Sequence, residues 1–469
     1  MKSVVVVVGL AAIACGGCGK GKSQAVDGGG GTAQGGGSGA AGAGAGGSGG
    51  GSPGAGGTAV GAAGVSGRGG ASGGASGTAG TTGNCGAPRA EPQFTVRRVA
   101  GLEPSPGTPG TAGITENLKH SSIVIGTGGV PTFVYLARSQ VFALPLTNVA
   151  PADAGVSGSV AKILSGPFTP GTRIDGVSRG AVKSDGTVAV AYLANGSAYY
   201  VEWSGNINDA PAGSNIAPAL IAGGSSKIGL GIDRRDRANL VFMGSTGVNY
   251  ASVENGTPSV EMIDSASLPY AAVGADSNGN AVAALIDRND SLQMIVATRR
   301  GGTWQLTRTD PSTNTFIGSW DFGPIVQIDS RDRLNLFFAA VPDIGAVEEE
   351  PLGWWISDGA GWTKTTAQLP GPLYWSGDGY HADVALTPTG EIYVARGGLT
   401  YDGLFYDHFD GCRWIKDQQL QVFTDPNLQI DVWWPSVAVD AAGRPHFSFQ
   451  EIHANDHTLD VLWSAEPVP

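Results

Sequence analysis

Near its C-terminus the chain reads Pro435-Ser-Val-Ala-Val-Asp440-Ala-Ala-Gly443-Arg-Pro-His-Phe-Ser-Phe449. Apolar residues alternate with small or polar ones on both sides of a short segment that begins at Asp440 and contains Gly443. Alternation with a period of two predicts β-strands, because successive side chains of a strand point to opposite faces. Asp and Gly between two such runs favour a tight turn. The segment is therefore predicted to be a β-hairpin.

The same hairpin pattern recurs along the chain from about residue 121 onward. Seven copies centre on the anchor residues Gly126, Asp185, Asp233, Asp276, Asp329, Thr387 and Asp440. Neighbouring anchors are 43–59 residues apart, and no helical periodicity separates them. This period with strand-only content is typical of β-propeller blades. We therefore predict an all-β fold, a seven-bladed β-propeller, and leave six or eight blades open because the first copies are degenerate.

The second half of a blade is visible in three units. Apolar runs lead into glycine and tryptophan at Gly302-Thr-Trp304, Gly361-Trp362 and Gly411-Cys-Arg-Trp414. They predict a third strand, a turn in which glycine supplies positive φ, and a fourth strand whose tryptophan covers the neighbouring blade. The last unit stops after its third strand, so the N-terminal strand Phe94–Val99 is the candidate to complete it and remove an exposed edge.

Three regions are predicted along the chain. Residues 1–15 contain one lysine, a short apolar core and small residues before Cys15, as in a secretory signal peptide. Residues 16–88 consist mostly of Gly, Ala, Ser and Thr and contain no aromatic residue. Because glycine loses much backbone entropy on ordering and this region has little apolar surface to bury, we predict a disordered Gly-rich linker. Residues 89–469 are predicted to form the β-propeller domain.

The residues before Cys15 also suggest an anchor. Ala12-Ile-Ala-Cys15 resembles a bacterial lipobox, in which the cysteine is lipidated and becomes the mature N-terminus. The resemblance implies a lipoprotein modified at Cys15, and Gly16 after it favours the outer membrane. Ordinary secretion with cleavage nearby is the alternative. We therefore expect an exported protein that is held at the outer membrane or cell surface by its N-terminal lipid alone.

The charge of the predicted domain limits its partners. From Arg89 onward there are 24 Lys and Arg residues and 39 Asp and Glu residues, a net charge of −15. This balance argues against nucleic acid and against an anionic membrane surface as partners. We expect a monomer that binds an extracellular glycan or protein and uses no cofactor.

The chain contains four cysteines. Cys15 belongs to the predicted anchor and Cys18 follows it closely, which leaves Cys85 and Cys412. The oxidising surroundings of an exported protein permit a disulfide between these two. Such a bond would join the base of the linker to the sixth blade, and two separate thiols are the alternative.

Propeller geometry indicates where a ligand would bind. The connections that enter the first strand of each blade and those that leave the second strand open on one face around the central channel. In the last three units these connections are rich in aromatic and acidic residues. The candidate ligand-binding residues are Trp320, Asp321, Trp375, Asp378, Tyr380, His381, Trp433, Trp434 and His453. Aromatic faces beside carboxylates suit sugar rings and hydroxyls, although the same tryptophans could pack between blades.

Catalysis is the main alternative to binding. Carboxylates on the same loops, Asp378, Asp402 and Glu451, could perform acid and base chemistry across the channel in a glycoside hydrolase or polysaccharide lyase. A structural protein of the cell envelope, without a small-molecule site, is a second alternative.

The repeated aspartates raise the question of a metal. A structural interpretation is favoured, because aspartate accepts hydrogen bonds from backbone amides two residues on and a repeated turn needs one such residue per blade. The spacing His453-Ala-Asn-Asp456-His457 would need a further ligand such as His381 to form a metal site. We therefore predict no metal centre.

One turn resembles a known family. Gly301-Gly-Thr-Trp304 resembles the Asp-box turn of sialidase-like propellers, although Ala297 and Arg299 or Arg300 stand where the family has Ser and Asp. From about residue 92 onward the chain is similar to bacterial lipoproteins with such propellers. The resemblance implies the scaffold and not the reaction, since a sialidase needs an arginine triad and a Tyr–Glu pair that this sequence does not reveal.

Overall fold

The computed structural model describes residues 90–100, 121–137, 140–146, 148–149, 156–157, 161–165, 174–219, 227–287, 294–308, 324–339, 349–357, 361–370, 382–397, 404–421, 430–453 and 458–468. Within these segments the chain forms β-strands and one short 3-10 turn at Thr127–Gly129, without any α-helix. A helix of the length and apolar character needed to cross a membrane is accordingly not found among them.

Blades 3 to 6 are built alike, each from four consecutive antiparallel strands. Blade 3 contains β13 (Ile228–Ile232), β14 (Ala238–Met243), β15 (Val248–Glu254) and β16 (Thr257–Asp264). Blade 4 contains β17 (Ser267–Ala275), β18 (Ala281–Asp287), β19 (Met294–Arg300) and β20 (Thr303–Arg308). Blade 5 contains β21 (Ile325–Ile328), β22 (Leu334–Ala339), β23 (Glu349–Ser357) and β24 (Trp362–Pro370). Blade 6 contains β25 (Ala382–Leu386), β26 (Ile392–Gly397), β27 (Leu404–Phe409) and β28 (Trp414–Gln421).

Blades 1, 2 and 7 vary this plan. Blade 1 contains β2 (Ser122–Ile125), β3 (Pro131–Ala137), β4 (Gln140–Pro145) and β7 (Lys162–Ile163). In blade 2 the first strand is split, and the blade contains β8 (Ile174–Val177), β9 (Ala181–Val182), β10 (Val188–Ala194), β11 (Ser197–Trp203) and β12 (Ala212–Pro218). The sheet of blade 7 contains β29 (Ile430–Val439), β30 (Pro445–His453), β31 (Thr458–Pro467), β1 (Phe94–Ala100), β6 (Val156–Ser157) and β5 (Asn148–Val149).

The first strands of the blades form a closed inner ring. Each contacts the first strand of the next blade, and β2 of blade 1 contacts β29 of blade 7. The blades pack face to face through buried apolar side chains such as Phe133, Phe242, Phe337 and Phe447. Each such side chain contributes about 1.5–3 kcal/mol when it leaves water. The prediction of a seven-bladed β-propeller is thus confirmed.

The predicted anchors mark one repeated turn. In all seven blades the N–H of its first residue donates to the carbonyl four residues on, and the N–H of its fourth residue donates back to the first carbonyl. The fourth residue has positive φ in every blade, at Gly129, Gly186, Asp236, Gly279, Asp332, Gly390 and Gly443. In blade 2 the turn begins at Lys183, so the prediction of Asp185 as its anchor was wrong by two residues. Asp185 accepts a hydrogen bond from the N–H of Thr187 at 2.9 Å and thereby resembles an anchor locally.

Aspartate closes this turn in four blades. Asp233 Oδ1 accepts the N–H groups of Arg235 and Arg237 at 2.8 and 3.0 Å, and its Oδ2 accepts Nε–H of Arg237 at 2.7 Å. Asp329 and Asp440 are bonded in the same way. Asp276 forms the same two backbone hydrogen bonds, and its Oδ2 accepts the side-chain amide N–H of Asn280 at 2.7 Å. These carboxylates serve their own turns, as the structural interpretation predicts.

Glycine was predicted to supply positive φ in the turns between the third and fourth strands, and this is true of two of the three turns. Gly302 and Gly411 have positive φ, whereas Gly361 does not. Trp304 donates from its indole N–H to Glu261 of blade 3 at 2.9 Å, so this tryptophan covers the neighbouring blade as predicted.

Gly231 on β13 marks a close approach between blades 3 and 4. A Cβ at this position would lie 2.3 Å from the carbonyl oxygen of Val273 on β17. We expect Gly231→Ala to lower the free energy of unfolding by about 2 kcal/mol, because the opposing atom is backbone and cannot rotate away. Urea unfolding measures this loss. The control Gly361→Ala, whose Cβ would meet nothing within 4 Å, should change it by no more than about 0.5 kcal/mol; equal losses would contradict the explanation.

The N-terminal strand completes blade 7, as predicted. β1 pairs antiparallel with β31, with Phe94 opposite Pro467, and the N–H of Val468 donates to the carbonyl of Gln93 at 2.8 Å. The other edge of β1 pairs with β6, which forms a hairpin with β5 inside the segment that joins two strands of blade 1. This hairpin was not predicted from the sequence. It places a strand on each side of β1.

Blade 7 also contains a buried histidine. Burial lowers the pKa of His446 below its ordinary value of 6.5, and Asp440, whose Oδ2 lies 3.4 Å from Nε2, opposes this shift. The unfolded chain therefore binds the proton more readily, so the stability contributed by the neutral imidazole is present above about pH 6.5 and is lost below it. We expect Tm to fall more between about pH 7.5 and about pH 5.5 in the wild type than in His446→Gln. Equal decreases would contradict this.

Candidate functional site

A buried carboxylate lies at the centre of the inner ring. Asp383 is the second residue of β25, and its side chain is only 6% exposed. Its Oδ2 accepts hydrogen bonds from Ser436 Oγ at 2.7 Å and from the N–H of Val437 at 3.0 Å, both in blade 7. Its Oδ1 accepts the N–H of Val384 at 2.7 Å and a guanidinium N–H of Arg179. Four donors therefore surround this carboxylate.

Arg179 reaches Asp383 from blade 2. It lies between β8 and β9, where the first strand of that blade is split. Its Nη1 donates to Asp383, and its Nη2 donates to the carbonyl of Ala382 at 3.2 Å. Blades 2 and 6 are not neighbours, so the side chain spans the centre of the ring. At 40% exposure Arg179 is the accessible member of the pair.

Two serines extend these contacts to blade 1. Ser436 Oγ, which donates to Asp383, accepts the N–H of Ile123 at 3.2 Å. Ser122 Oγ accepts the N–H of Gly180, the neighbour of Arg179, at 3.0 Å. Hydrogen bonds around the axis therefore join blades 1, 2, 6 and 7.

Ser122, Arg179, Asp383 and Ser436, which we call the axial cluster, occupy one equivalent position. Each lies four residues before the first residue of its repeated turn. The turns follow the C-terminal ends of the first strands, so the cluster lies toward the opposite face, which we call the loop face. The predicted ligand-binding loops enter the first strands from this face.

The turn face has its own cross-connections. Arg234 in blade 3 donates from Nη2 to the carbonyl of Asp329 in blade 5 at 2.7 Å, reaching past blade 4. Asp236 accepts the N–H of Ser184 in blade 2 at 2.7 Å. The turns on this face thus bond to one another across blades 2, 3 and 5.

Most of the predicted site residues lie outside the part of the chain that the structure describes. Those outside the described residues are Trp320, Asp321, Trp375, Asp378, Tyr380, His381 and Asp402. In the sequence, His381 directly precedes β25 and is two residues from Asp383. Cys15 and Cys85 also lie outside the described residues, whereas Cys412 is disulfide-bonded.

The other predicted residues belong to blade 7. Trp433 and Trp434 lie on β29, and Glu451 and His453 lie on β30, at the loop-face ends of these strands. Trp434 is half-buried and packs against the cluster of blade 1 that contains Tyr135. This is the position that the alternative of packing between blades predicts for a tryptophan.

Elsewhere the described residues offer less. They contain no group of three or more His, Cys, Asp or Glu side chains that could hold a metal ion. A groove of about 540 Å³ lies beside the turn of blade 2 and is lined by Thr187, Glu202, Trp203, Ser204, Asn208, Asp209, Ala210 and Ala212. Its polar groups bond locally, for example Ser204 Oγ to Asp209 Oδ2 at 2.6 Å. The axial cluster is therefore the stronger candidate site.

Arg179, Asp383 and Ser436 were not among the site residues predicted from the sequence. A signal was present in Ala382-Asp-Val-Ala-Leu386, where a carboxylate stands inside an otherwise apolar strand. A charge in such a position needs a partner, since an isolated buried charge is costly.

Comparison with known proteins identifies no family for this chain. No protein-family model matches the chain, and no curated protein matches it either. Among solved structures it is similar to a catalytically inactive virginiamycin B lyase from Staphylococcus aureus, at 10% identity and a TM-score of 0.47, over 80% of this chain and 100% of that chain. It is also similar to the six-bladed fucose-binding lectin of Aleuria aurantia, at 13% identity and a TM-score of 0.37, over 63% of this chain and 92% of that chain. An α-L-arabinofuranosidase from Fusarium graminearum matches at 12% identity and a TM-score of 0.37, over 63% of this chain and 93% of that chain. At these identities the likeness concerns the β-propeller fold alone.

Proposed function

We propose that this protein is a surface-tethered lipoprotein whose propeller binds an extracellular glycan or protein at the loop face without catalysis. The axial cluster carries this proposal. Arg179 is held in place by Asp383 and the carbonyl of Ala382, which together use two of its five N–H donors. A partly exposed guanidinium fixed in this way can donate to ligand oxygens with little loss of side-chain entropy.

The state of Asp383 favours binding over catalysis. A general acid or base must exchange a proton with its substrate, so it needs access to that substrate. Asp383 is nearly inaccessible and accepts four hydrogen bonds from the protein itself. Its chemistry is therefore structural: it orients Arg179 and joins the blades.

The entry point of the chain supports a tether. β1 is the fourth strand of blade 7, and its first residue, Phe94, lies opposite Pro467 at the end of β31. That end belongs to the turn face. A chain held through its N-terminus would therefore be attached on the face opposite the axial cluster.

Lipidation at Cys15 is tested separately from binding. Radiolabelled palmitate should enter the wild type and not Cys15→Ala. Label that persists in Cys15→Ala would contradict an anchor at this cysteine.

Binding is tested with the full chain on an array of plant, bacterial and animal polysaccharides. We expect Arg179→Ala to weaken binding at least about tenfold, which is the loss of one or two hydrogen bonds to a charged donor. The matched control is Arg235→Ala, which removes an exposed arginine from the turn face and should bind like the wild type. Equal binding by both variants would remove the axial cluster as the site. New reducing or unsaturated sugar ends that disappear in Asp378→Ala would instead favour a hydrolase or lyase.

A further inference from the structure

The residues at the start of β1, from Glu91 to Phe94, contact the turn face of blade 6. Glu91, three residues before β1, accepts the hydroxyl hydrogen of Tyr406 through Oε2 at 3.0 Å, and its Oε1 lies 3.0 Å from His408 Nδ1. Phe94 packs edge-on against Tyr406 of blade 6 and Phe447 of blade 7, with ring centroids 5.6 and 5.4 Å apart. The segment therefore contacts two blades around the point at which β1 begins.

Cys412 adds a covalent bond in the same region. It lies in the turn between β27 and β28, four residues after His408, and it is disulfide-bonded. The other cysteines of the chain, Cys15, Cys18 and Cys85, all precede Glu91. The bond within this chain therefore joins the N-terminal segment to blade 6, whichever of them is the partner.

Chain length favours Cys85 as that partner. Cys85 is six residues from Glu91 and can extend no more than about 20 Å from it. Cys15 and Cys18 are more than 70 residues away. Because bringing together the ends of a short segment costs less entropy than closing a long loop, Cys85 meets Cys412 most readily.

We propose that the Cys85–Cys412 bond and Glu91 form a clasp that passes tension from the N-terminal segment directly into blade 6. The inference rests on the proposed function in one respect, that the domain is held through its N-terminus. Without the clasp, tension would act first on the Phe94–Pro467 end of the β1–β31 pair and could separate its hydrogen bonds one after another. With the clasp, tension enters the propeller at Cys412 and does not act first on β1.

Blade 6 is well placed to receive this tension. Its first strand carries Asp383, which bonds to Arg179 of blade 2 and to Ser436 of blade 7. A force that enters at Cys412 is therefore shared with two other blades through the axial cluster. The clasp and the candidate ligand site are connected by the same sheet.

Single-molecule stretching of the full chain between its two ends tests the clasp. With the bond intact, the loop from Cys85 to Cys412 cannot extend, so unfolding of the propeller should release only the 57 residues after Cys412, about 200 Å of chain. Reduction should release the 380 residues from 90 to 469, about 1,300 Å. Cys85→Ser and Cys412→Ser should behave like the reduced chain without any reductant.

The contribution of Glu91 is measured in the reduced chain. We expect β1 to detach at a lower force in Glu91→Ala than in the wild type, whereas Glu254→Ala, an exposed carboxylate in blade 3, should leave the force unchanged. A long release from the oxidised wild type, a short release that persists in Cys85→Ser, or equal forces in Glu91→Ala and the wild type would each overturn the clasp. A chain that binds no polysaccharide would leave these lengths and forces as they are, so the two proposals fail separately.

Discussion

Asp383→Ala is expected to lower the free energy of unfolding by about 3–5 kcal/mol, the usual loss when one partner of a buried ion pair is removed. The change leaves Ser436 Oγ and the N–H of Val437 without their acceptor in the interior, and it frees Arg179 from its partner. Part of the free energy lost with the ion pair is recovered, because the Arg179 side chain is 40% exposed and can be hydrated once Asp383 is removed. Urea unfolding followed by tryptophan fluorescence measures the loss.

Two further variants test whether the loss in Asp383→Ala comes from the buried position of this carboxylate or only from the removal of a charge. Asp185→Ala removes an exposed carboxylate that accepts one turn amide, and it should cost about 1 kcal/mol or less. Arg179→Ala keeps three of the four donors to Asp383 and should cost less than Asp383→Ala. A loss for Asp383→Ala no larger than that for Asp185→Ala would mean that the axial cluster does not hold the ring together.

Arg396→Ala is expected to have a loss of similar size, about 3–5 kcal/mol. Arg396 on β26 donates from Nε to Asp407 Oδ2 on β27 at 2.9 Å, and the two side chains are 5% and 0% exposed. Removing the guanidinium leaves a carboxylate in the interior that water cannot reach. Thermal and urea unfolding of the full chain, under conditions that keep Cys412 oxidised, measure the effect.

A double replacement distinguishes the pair from its surroundings. Arg396→Leu combined with Asp407→Leu removes both charges, and the combined variant should be more stable than Arg396→Ala alone. The single variants Arg396→Leu and Asp407→Leu give the comparison. If the double variant loses as much free energy of unfolding as the two single variants together, the residues do not act as a pair and the explanation fails.

The fold could be predicted because its signal is local and repeated. Alternating residues on both sides of a turn specify a hairpin without reference to the rest of the chain, and seven copies specify blades. The turns confirm this, since the aspartates at Asp233, Asp276, Asp329 and Asp440 form the same hydrogen bonds. Closure by the N-terminal strand followed from the one blade that lacked a fourth strand.

The site was harder to predict because its residues are distant in sequence. Arg179 and Asp383 are 204 residues apart and meet only when the ring closes. The misplaced anchor of blade 2 also concealed one site residue. Counting back four residues from Asp185 gives Ala181, whereas counting from the true start of the turn, Lys183, gives Arg179, the position equivalent to Asp383. A two-residue error therefore hid the charged partner.

Short strands escaped prediction for a different reason. β5 and β6 contain two residues each, so alternation within them carries no information. The pairing of β6 with β1 depends on tertiary contact alone.

The pairing of β1 with β31 affects the order in which the propeller can fold during synthesis. A ribosome makes β1 before any blade exists, and β31, which receives it, follows all the other described strands of the propeller. Contacts between the two ends of a chain form slowly, because a long loop must close first. A nascent or prematurely terminated chain would therefore hold six nearly finished sheets and an open circle. Until β1 pairs with β31, this gap leaves strand edges without a partner, so the ring closes only in the last step of folding.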